Sequence, residues 1–179
     1  MRYASLDIDG PISKYPQCWI DYINIEENSN FTSKQEAKEK IGLENYKKLK
    51  HSYRLSDYKA NLPVNDDIYI IIENLRKHNY SILLMTSRPF MFYPELFSNT
   101  KNWLERNNIS FDYLLQKTEK NIQKFPGIKF HLDDEIKQCE PYLKNGIPCF
   151  VINSSVKSNK PKLVSYLDNM IDLIKYIKK

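Results

Sequence analysis

Tyr3-Ala4-Ser5-Leu6-Asp7-Ile8-Asp9-Gly10-Pro11 is a short, mostly apolar run that closes on two acids, a glycine and a proline. It reads as a strand over residues 3–9, and Gly10 lets the backbone turn sharply after it. Similar short runs recur at 80–86, 111–115, 128–132 and 148–153. All are apolar on both faces, the pattern of strands buried inside a parallel sheet.

Helical periodicity fills the gaps. Asp66 and Asp67 sit in a first turn, where they favour the helix dipole. Ile68, Ile71, Ile72 and Leu75 then recur at one-face spacing, and Lys77-His78-Asn79 close the segment. A shorter helix is predicted over 98–107. A final one would carry Leu163, Leu167, Met170, Ile171, Ile174 and Ile177 on one face. Strands alternating with helices imply crossover units, hence an α/β protein with a three-layer, Rossmann-like parallel sheet of about five strands.

Residues 15–63 interrupt this rhythm. They hold no convincing strand but do hold a helical pattern over 33–53, with Ala37, Ile41, Leu49 and Tyr53 as its apolar positions. Structureless loops of that length are rare, so a small helical cap inserted after the first strand is expected, with residues 1–14 and 64–179 forming the core domain. Trp103, Tyr113 and His131 are expected to pack in the core.

The 179 residues suit one domain with a small insertion, and a hydrophobic content of 41% with only 4 glycines excludes disordered and collagen-like chains. The 27 basic against 22 acidic residues leave +5, which leans toward an anionic partner but is too mild for extended nucleic-acid binding. Acids near the N-terminus do not suit a secretory leader, and no apolar run approaches the ~20 residues of a membrane span. Cys18, Cys139 and Cys149 match no metal or redox spacing. Reduced thiols in a cytoplasmic protein are the expectation.

Chemistry gathers where strands end. Ligands of open parallel sheets bind beyond the carboxyl ends of the strands, and three of the expected ends carry Asp7-Ile8-Asp9-Gly10, Thr86-Ser87-Arg88-Pro89 and Asp133-Asp134-Glu135. Carboxylates crowded at buried strand ends are costly unless a cation neutralises them. Asp7, Asp9 and Asp133 or Asp134 would supply hard oxygen ligands suited to Mg²⁺. One of the first two acids can attack phosphorus while the other delivers a proton to the leaving oxygen. Thr86 and Ser87 offer donors to phosphate oxygens, and Arg88 a bidentate contact.

Asp7-Ile8-Asp9-Gly10, Leu83-Leu84-Met85-Thr86-Ser87 and His131-Leu132-Asp133-Asp134, in that order, resemble motifs I, II and IV of the haloacid dehalogenase (HAD) superfamily. The resemblance implies a phosphohydrolase with Asp7 as nucleophile, Asp9 as general acid and then base, and Thr86 on the phosphoryl group. It implies Mg²⁺ on the Asp7 side chain, the Asp9 carbonyl and Asp133, with Asp134 as alternative or supporting ligand. For the motif III lysine, Lys117, Lys120 and Lys124 are candidates, and family spacing favours Lys120. Pro11 departs from the Thr or Val that most relatives carry there.

An insertion at this point resembles a type 1 HAD cap. Its size is similar to that of the 5′(3′)-deoxyribonucleotidase group, and Thr86–Pro89 with Thr100–Leu104 also resembles polynucleotide 3′-phosphatases. These resemblances imply a small phosphorylated substrate, first of all a nucleotide. A phosphatase for sugar phosphates or other small metabolites is the alternative, and a non-catalytic binding module the last. Tyr15, Trp19, Tyr22, Phe31, Tyr46, Tyr53 and Tyr58 either stack a base or pack the cap. Lys47, Lys48, Lys50, Arg54 and Lys59 stand against Asp57 alone within 45–59, a basic stretch that either steers anions or forms a solvated helix face.

Overall fold

The computed structural model describes residues 1–152 and 161–178; Asn153, the expected end of the fifth strand, lies outside them. Six strands form one sheet in the order β3-β2-β1-β4-β5-β6, every neighbouring pair parallel. They are β1 (Arg2–Leu6), β2 (Tyr80–Thr86), β3 (Tyr113–Gln116), β4 (Ile128–Asp133), β5 (Cys149–Ile152) and β6 (Val164–Leu167). β1 lies at the centre, with Leu6 level with Leu84 on one side and Leu132 on the other. The chain builds outward from β1 in both directions, and this reversal opens a crevice at the carboxyl ends of β1 and β4.

The sheet of about five strands is present with a sixth strand added, and that strand corrects the expectation of one long final helix. Val164-Ser165-Tyr166-Leu167 pairs with the free edge of β5, Cys149 opposite Val164 and Ile152 opposite Leu167. Leu163 and Leu167 stand one helical turn apart, but the free edge of β5 draws the residues between them into a strand. Leu163 enters this strand with a φ of 74°, a backbone that no helix contains. The helical remainder is a 3-10 turn over Met170–Leu173 and one turn of α9 (Ile174–Ile177).

Between β1 and the next core helix lie α1 (Gln17–Glu26), α2 (Lys34–Ile41), α3 (Leu43–Leu55) and α4 (Asp57–Ala60). The pattern expected over 33–53 is thus two helices, separated by Gly42 with a φ of 79°, a conformation that glycine adopts without strain. Trp19 bonds to Tyr46, and the Cys18 thiol lies 3.4 Å from the Tyr53 hydroxyl. The rings of Trp19, Tyr22, Tyr53 and Tyr58 pack against one another in a continuous group. Most of the insertion's aromatic residues are therefore its own core.

The remaining helices are α5 (Asp67–Lys77), α6 (Pro94–Arg106), α7 (Glu119–Gln123) and α8 (Glu140–Lys144). Ile68, Ile71, Ile72 and Leu75 of α5 are all buried, as their spacing requires. Alternate residues of β2 serve opposite layers. Ile82 and Leu84 join one buried cluster, which also takes in Trp19, Ala37 and Tyr53 of the insertion, whereas Leu83 and Met85 join the other with Cys139, Tyr142 and Cys149. Packing on both faces explains why the strands are continuously apolar. Trp103 is buried as expected, its indole N–H donating to the Leu62 carbonyl at 2.8 Å, while Tyr113 is exposed. All three cysteines are free and buried. No helix among the described residues is long and apolar enough to cross a membrane.

Leu75 is fully buried between α5 and the sheet. Leu75→Ala should lower the unfolding free energy by roughly 2–5 kcal/mol, read as a lower urea midpoint at unchanged slope.

Candidate active site

β1 ends at Leu6, one residue before Asp7, and the chain then turns. The Asp9 amide donates to Asp7 Oδ2 at 3.1 Å, so the two carboxylates diverge instead of sharing a strand face. Asp133 is the last residue of β4, Thr86 the last of β2, and Lys117 follows the last residue of β3. Four adjacent strand ends thus deliver one group each to a single spot. Lys117 Nζ lies 3.1 Å from Asp7 Oδ1 and 2.5 Å from Asp133 Oδ2.

Asp7, Asp133 and Asp134 can each place a carboxylate oxygen within 4.8 Å of the others. At an effective dielectric near 20, each such pair of charges repels by roughly 3–4 kcal/mol. With all three acids ionised, Lys117 supplies one positive charge against three negative ones, leaving two to balance. Burial pushes Asp7 up to about 7 against the pull of Lys117, with Asp133 and Asp9 adding to the rise. Burial, Asp133 and Asp7 likewise push Asp134 up to about 8. Asp7 Oδ1 is buried and receives no well-directed hydrogen bond despite its nearness to Lys117. Three hard oxygen donors, an unsatisfied buried oxygen and a deficit of two positive charges suit a divalent cation such as Mg²⁺. Gly10 makes room for the set, because a Cβ built there would stand 2.6 Å from Cβ and Cγ of Asp134.

Asp133 is held from behind by a buried chain of hydrogen bonds. His131 lies 2.9 Å from Asp133 Oδ2 through Nε2 and 2.9 Å from Ser5 Oγ through Nδ1, and Ser5 Oγ lies 2.9 Å from the Tyr142 hydroxyl. Burial lowers His131 to about 4, so the ring is neutral. An ionised carboxylate only accepts, so Nε2–H donates to Asp133, Ser5 donates to Nδ1, and Tyr142 donates to Ser5. Burial alone would raise Asp133, but His131 and Lys117 hold it at about 2.

Asp9 faces the other way. Arg88 donates to both of its oxygens, at 2.7 and 3.2 Å, Lys59 Nζ adds a contact at 2.9 Å, and the Ser13 hydroxyl one at 3.1 Å. Burial would raise its carboxyl, but Arg88 and Lys59 outweigh that and hold it well below the usual carboxylate range. Arg88 also donates to Thr100 Oγ1 at 2.8 Å. The cleft encloses about 200 Å³, with Asp7, Thr86, Asp133 and Asp134 on its sheet side and Lys50, Arg54 and Lys59 on the side of the insertion.

No family model and no curated protein matches the chain in sequence. Solved structures do match in shape. A predicted phosphatase from Clostridium acetobutylicum is 16% identical, with a TM-score of 0.69 over 99% of this chain and 98% of that one. A haloacid dehalogenase-like hydrolase from Streptococcus pneumoniae is 12% identical, with a TM-score of 0.69 over 98% of both chains. CbbY from Rhodobacter sphaeroides, solved in complex with phosphate, is 12% identical, with a TM-score of 0.63 over 97% of this chain and 96% of that one. This chain has the HAD fold.

Within the HAD fold, the three stretches singled out in the sequence meet at one crevice: Asp7, Asp9, Thr86, Ser87, Arg88, Asp133 and Asp134 all line the cleft. Several placements differ from expectation. Lys120 is exposed in the first turn of α7, and Lys124 is exposed too, bonded to Asn121; Lys117 is the lysine at the acids. The strand-end argument that selected Asp7, Thr86 and Asp133 selects Lys117 as well, once β3 is extended to Gln116. The Asp9 carboxylate stands outside the acidic cluster, held by Arg88 and Lys59, which corrects its expected place among the side-chain ligands. Arg88, expected on phosphate, is committed to Asp9, and Ser87 Oγ donates to Gln138 at 2.7 Å. His131 does pack, ring on ring with Tyr142 at 3.7 Å, yet it also orients Asp133. Lys59, noted in the sequence only as part of a basic stretch, is a buried partner of Asp9.

Gly10 adopts a φ of +104° as well as touching Asp134. Gly10→Ala should therefore cost at least ~1 kcal/mol in stability and displace Asp134. Urea unfolding and calorimetric Mg²⁺ titration should both show the loss, the second as a weaker dissociation constant.

Proposed function

We propose that the protein is a phosphomonoester hydrolase of the HAD type that works through an aspartyl-phosphate on Asp7. The observation that carries this reading is Asp7 itself, a buried carboxylate facing the cleft with one oxygen lacking a directed donor and an ammonium 3.1 Å away. Asp7 Oδ attacks phosphorus as the bond to the leaving oxygen breaks, and Asp9 gives that oxygen its proton. Water then attacks the phosphoaspartate, passing a proton to Asp9, and Asp7 and phosphate are released. Lys117 compensates charge at the nucleophile, and Thr86, at the end of β2, is placed to donate to a phosphoryl oxygen. A Mg²⁺ held by Asp7, Asp133, Asp134 and the Asp9 carbonyl would supply charge neutralisation for the phosphoryl oxygens.

Before substrate enters, Asp9 is ionised and clamped, so it must take a proton from water before it can protonate the leaving oxygen. An entering phosphate dianion competes for Arg88 and Lys59, and loosening that clamp is what lets Asp9 take up and deliver a proton. In this reading residues 15–63 are the cap over a core of 1–14 and 64–179, and Lys59 is the cap's reach into the site.

The cleft favours a compact leaving group, because about 200 Å³ falls below the roughly 300–1,000 Å³ of sites for larger ligands. Most of the rings considered for base stacking are packed within the insertion. A sugar phosphate or another small metabolite is accordingly the first substrate class. A nucleotide is the second, favoured by Tyr15, which is half-buried and lines the cleft.

Asp7→Asn should abolish phosphate release from an aryl phosphate, a fall of at least ~10³-fold, since the attacking carboxylate is lost. Lys117→Ala should reduce it severely, Lys120→Ala should not, and chelation should remove activity that Mg²⁺ restores. Activity surviving in Asp7→Asn would sink the mechanism. In a release screen over sugar phosphates, nucleoside 5′- and 3′-monophosphates and a 3′-phosphorylated oligonucleotide, the compact esters should show the highest kcat/KM.

A further inference from the structure

Among the cations of the cleft, two have no acid to face. Arg88 and Lys59 are taken by Asp9, and Lys117 by Asp7 and Asp133. Lys34, nearby on α2, is taken by Glu135 at 3.1 Å. Lys50 and Arg54 line the same cleft, one helical turn apart on α3, and among the described residues neither has a carboxylate within 4.0 Å. Residues at this spacing project side by side from one helix face. Their neighbours are aromatic. Lys50 Nζ stands 6.0 Å from the Tyr15 ring centroid and 5.7 Å from that of Trp19, and the Arg54 guanidinium stands 5.3 Å from that of Tyr93.

These two side chains are partly buried, unlike solvated surface lysines. Burial, with Arg54 and Lys34 close by, pulls Lys50 below its ordinary value, the direction expected where cations gather without a counter-ion. Arg54 is steadied by a 3.5 Å contact from Nη1 to the Tyr93 hydroxyl, which itself lies 2.9 Å from His51 Nδ1. That contact crosses from α3 to the residue just before α6, so it fixes the guanidinium without neutralising it. On the sheet side the cleft holds the acidic cluster, which suits a cation and the phosphoryl group. The insertion side offers, within the same cleft of about 200 Å³, an ammonium and a guanidinium with no carboxylate in contact among the described residues.

We propose that the leaving group of the substrate carries a second anionic group, a carboxylate or another phosphate, bound by Lys50 and Arg54. The inference rests on the phosphomonoesterase reading and narrows its substrate class to compact esters with an acid at each end. The phosphoryl end sits over Asp7 and the other acid lies against α3. Arg54 can grip either acid in bidentate fashion, and Lys50 adds a point charge.

Three esters of matched length separate the possibilities: propyl phosphate, 2-carboxyethyl phosphate and propane-1,3-diyl bisphosphate. The native protein should turn over at least one of the two doubly acidic esters with a kcat/KM roughly 10–100-fold above that for propyl phosphate, the scale of one or two charge-assisted contacts. Which of the two leads tells carboxylate from phosphate. That ratio should collapse toward one in Lys50→Gln with Arg54→Gln, chiefly through KM, and Arg54→Lys should recover part of it. Circular dichroism and urea unfolding identify variants that fail to fold; the native protein's ratio alone still decides the matter. Equal turnover of the three esters by native protein, or a ratio untouched in folded variants, overturns the inference while leaving the hydrolase reading in place. No turnover of any ester, nor of an aryl phosphate, overturns both.

Discussion

Three carboxylates and one ammonium, gathered from the ends of β1, β4 and β3, are the constraint around which the molecule is arranged. Asp7, Asp133 and Asp134 leave a surplus of two negative charges beside Lys117, in surroundings too dry to screen them. The fold tolerates this by building rigid supports behind each acid. Asp133 accepts from a neutral His131 at the end of a chain through Ser5 to Tyr142, and Gly10 surrenders a side chain so that Asp134 can approach. Asp9 is drawn off the cluster altogether by Arg88 and Lys59. Asp7 and Asp134, pushed up by burial and by their acidic neighbours, are the groups left at a cost, and perturbation of that kind in a cleft is a reason to infer function.

Sheet topology makes this concentration possible. With β1 flanked by β2 and β4, the segments leaving those strands diverge to opposite sides, and the crevice opens between them. The long insertion leaves the chain at the same crevice, directly after Asp9, so its helices α3 and α4 fold back over the cleft rather than onto a distant face. One buried cluster runs from Ala4 and Leu84 in the sheet through to Trp19 and Tyr53 in the insertion. The insertion is therefore packed against the sheet as well as tethered by Lys59 and Lys34.

The sequence carried the strand ends well and the side-chain directions poorly. Asp7, Asp9, Thr86 and Asp133 were identifiable because acids and hydroxyls interrupt apolar runs at fixed positions, a one-dimensional signal. Lys117 was harder to single out, since the boundary of β3 decides it and three lysines lie within eight residues. Nothing in the order of residues says that Arg88 turns to Asp9 rather than to the cleft's open space, or that Lys59, 50 positions away from Asp9, meets it there. The final segment misled for a different reason: Leu163 and Leu167 stand one helical turn apart, and only the unfilled edge of β5 makes the residues between them a strand. His131 shows the limit of choosing one role per residue, for the ring packs on Tyr142 with its face and holds Asp133 with its edge.

The mild net charge of +5 conceals a cleft with opposite signs on its two sides. Acids concentrate on the sheet side because adjacent strand ends bring several short side chains together there. Long cationic side chains concentrate on the helical side because α3 and α4 stand farther off, and lysine and arginine have the reach to close that distance while burying their stems. An ester with an uncharged leaving group would leave Lys50 and Arg54 unused. A molecule with an acid at each end would engage both sides, drawing α3 toward the sheet through Lys50 and Arg54 while its phosphoryl group competes with Asp9 for Arg88 and Lys59. In that reading the far-end contacts would add affinity, and charge complementarity would act chiefly through KM.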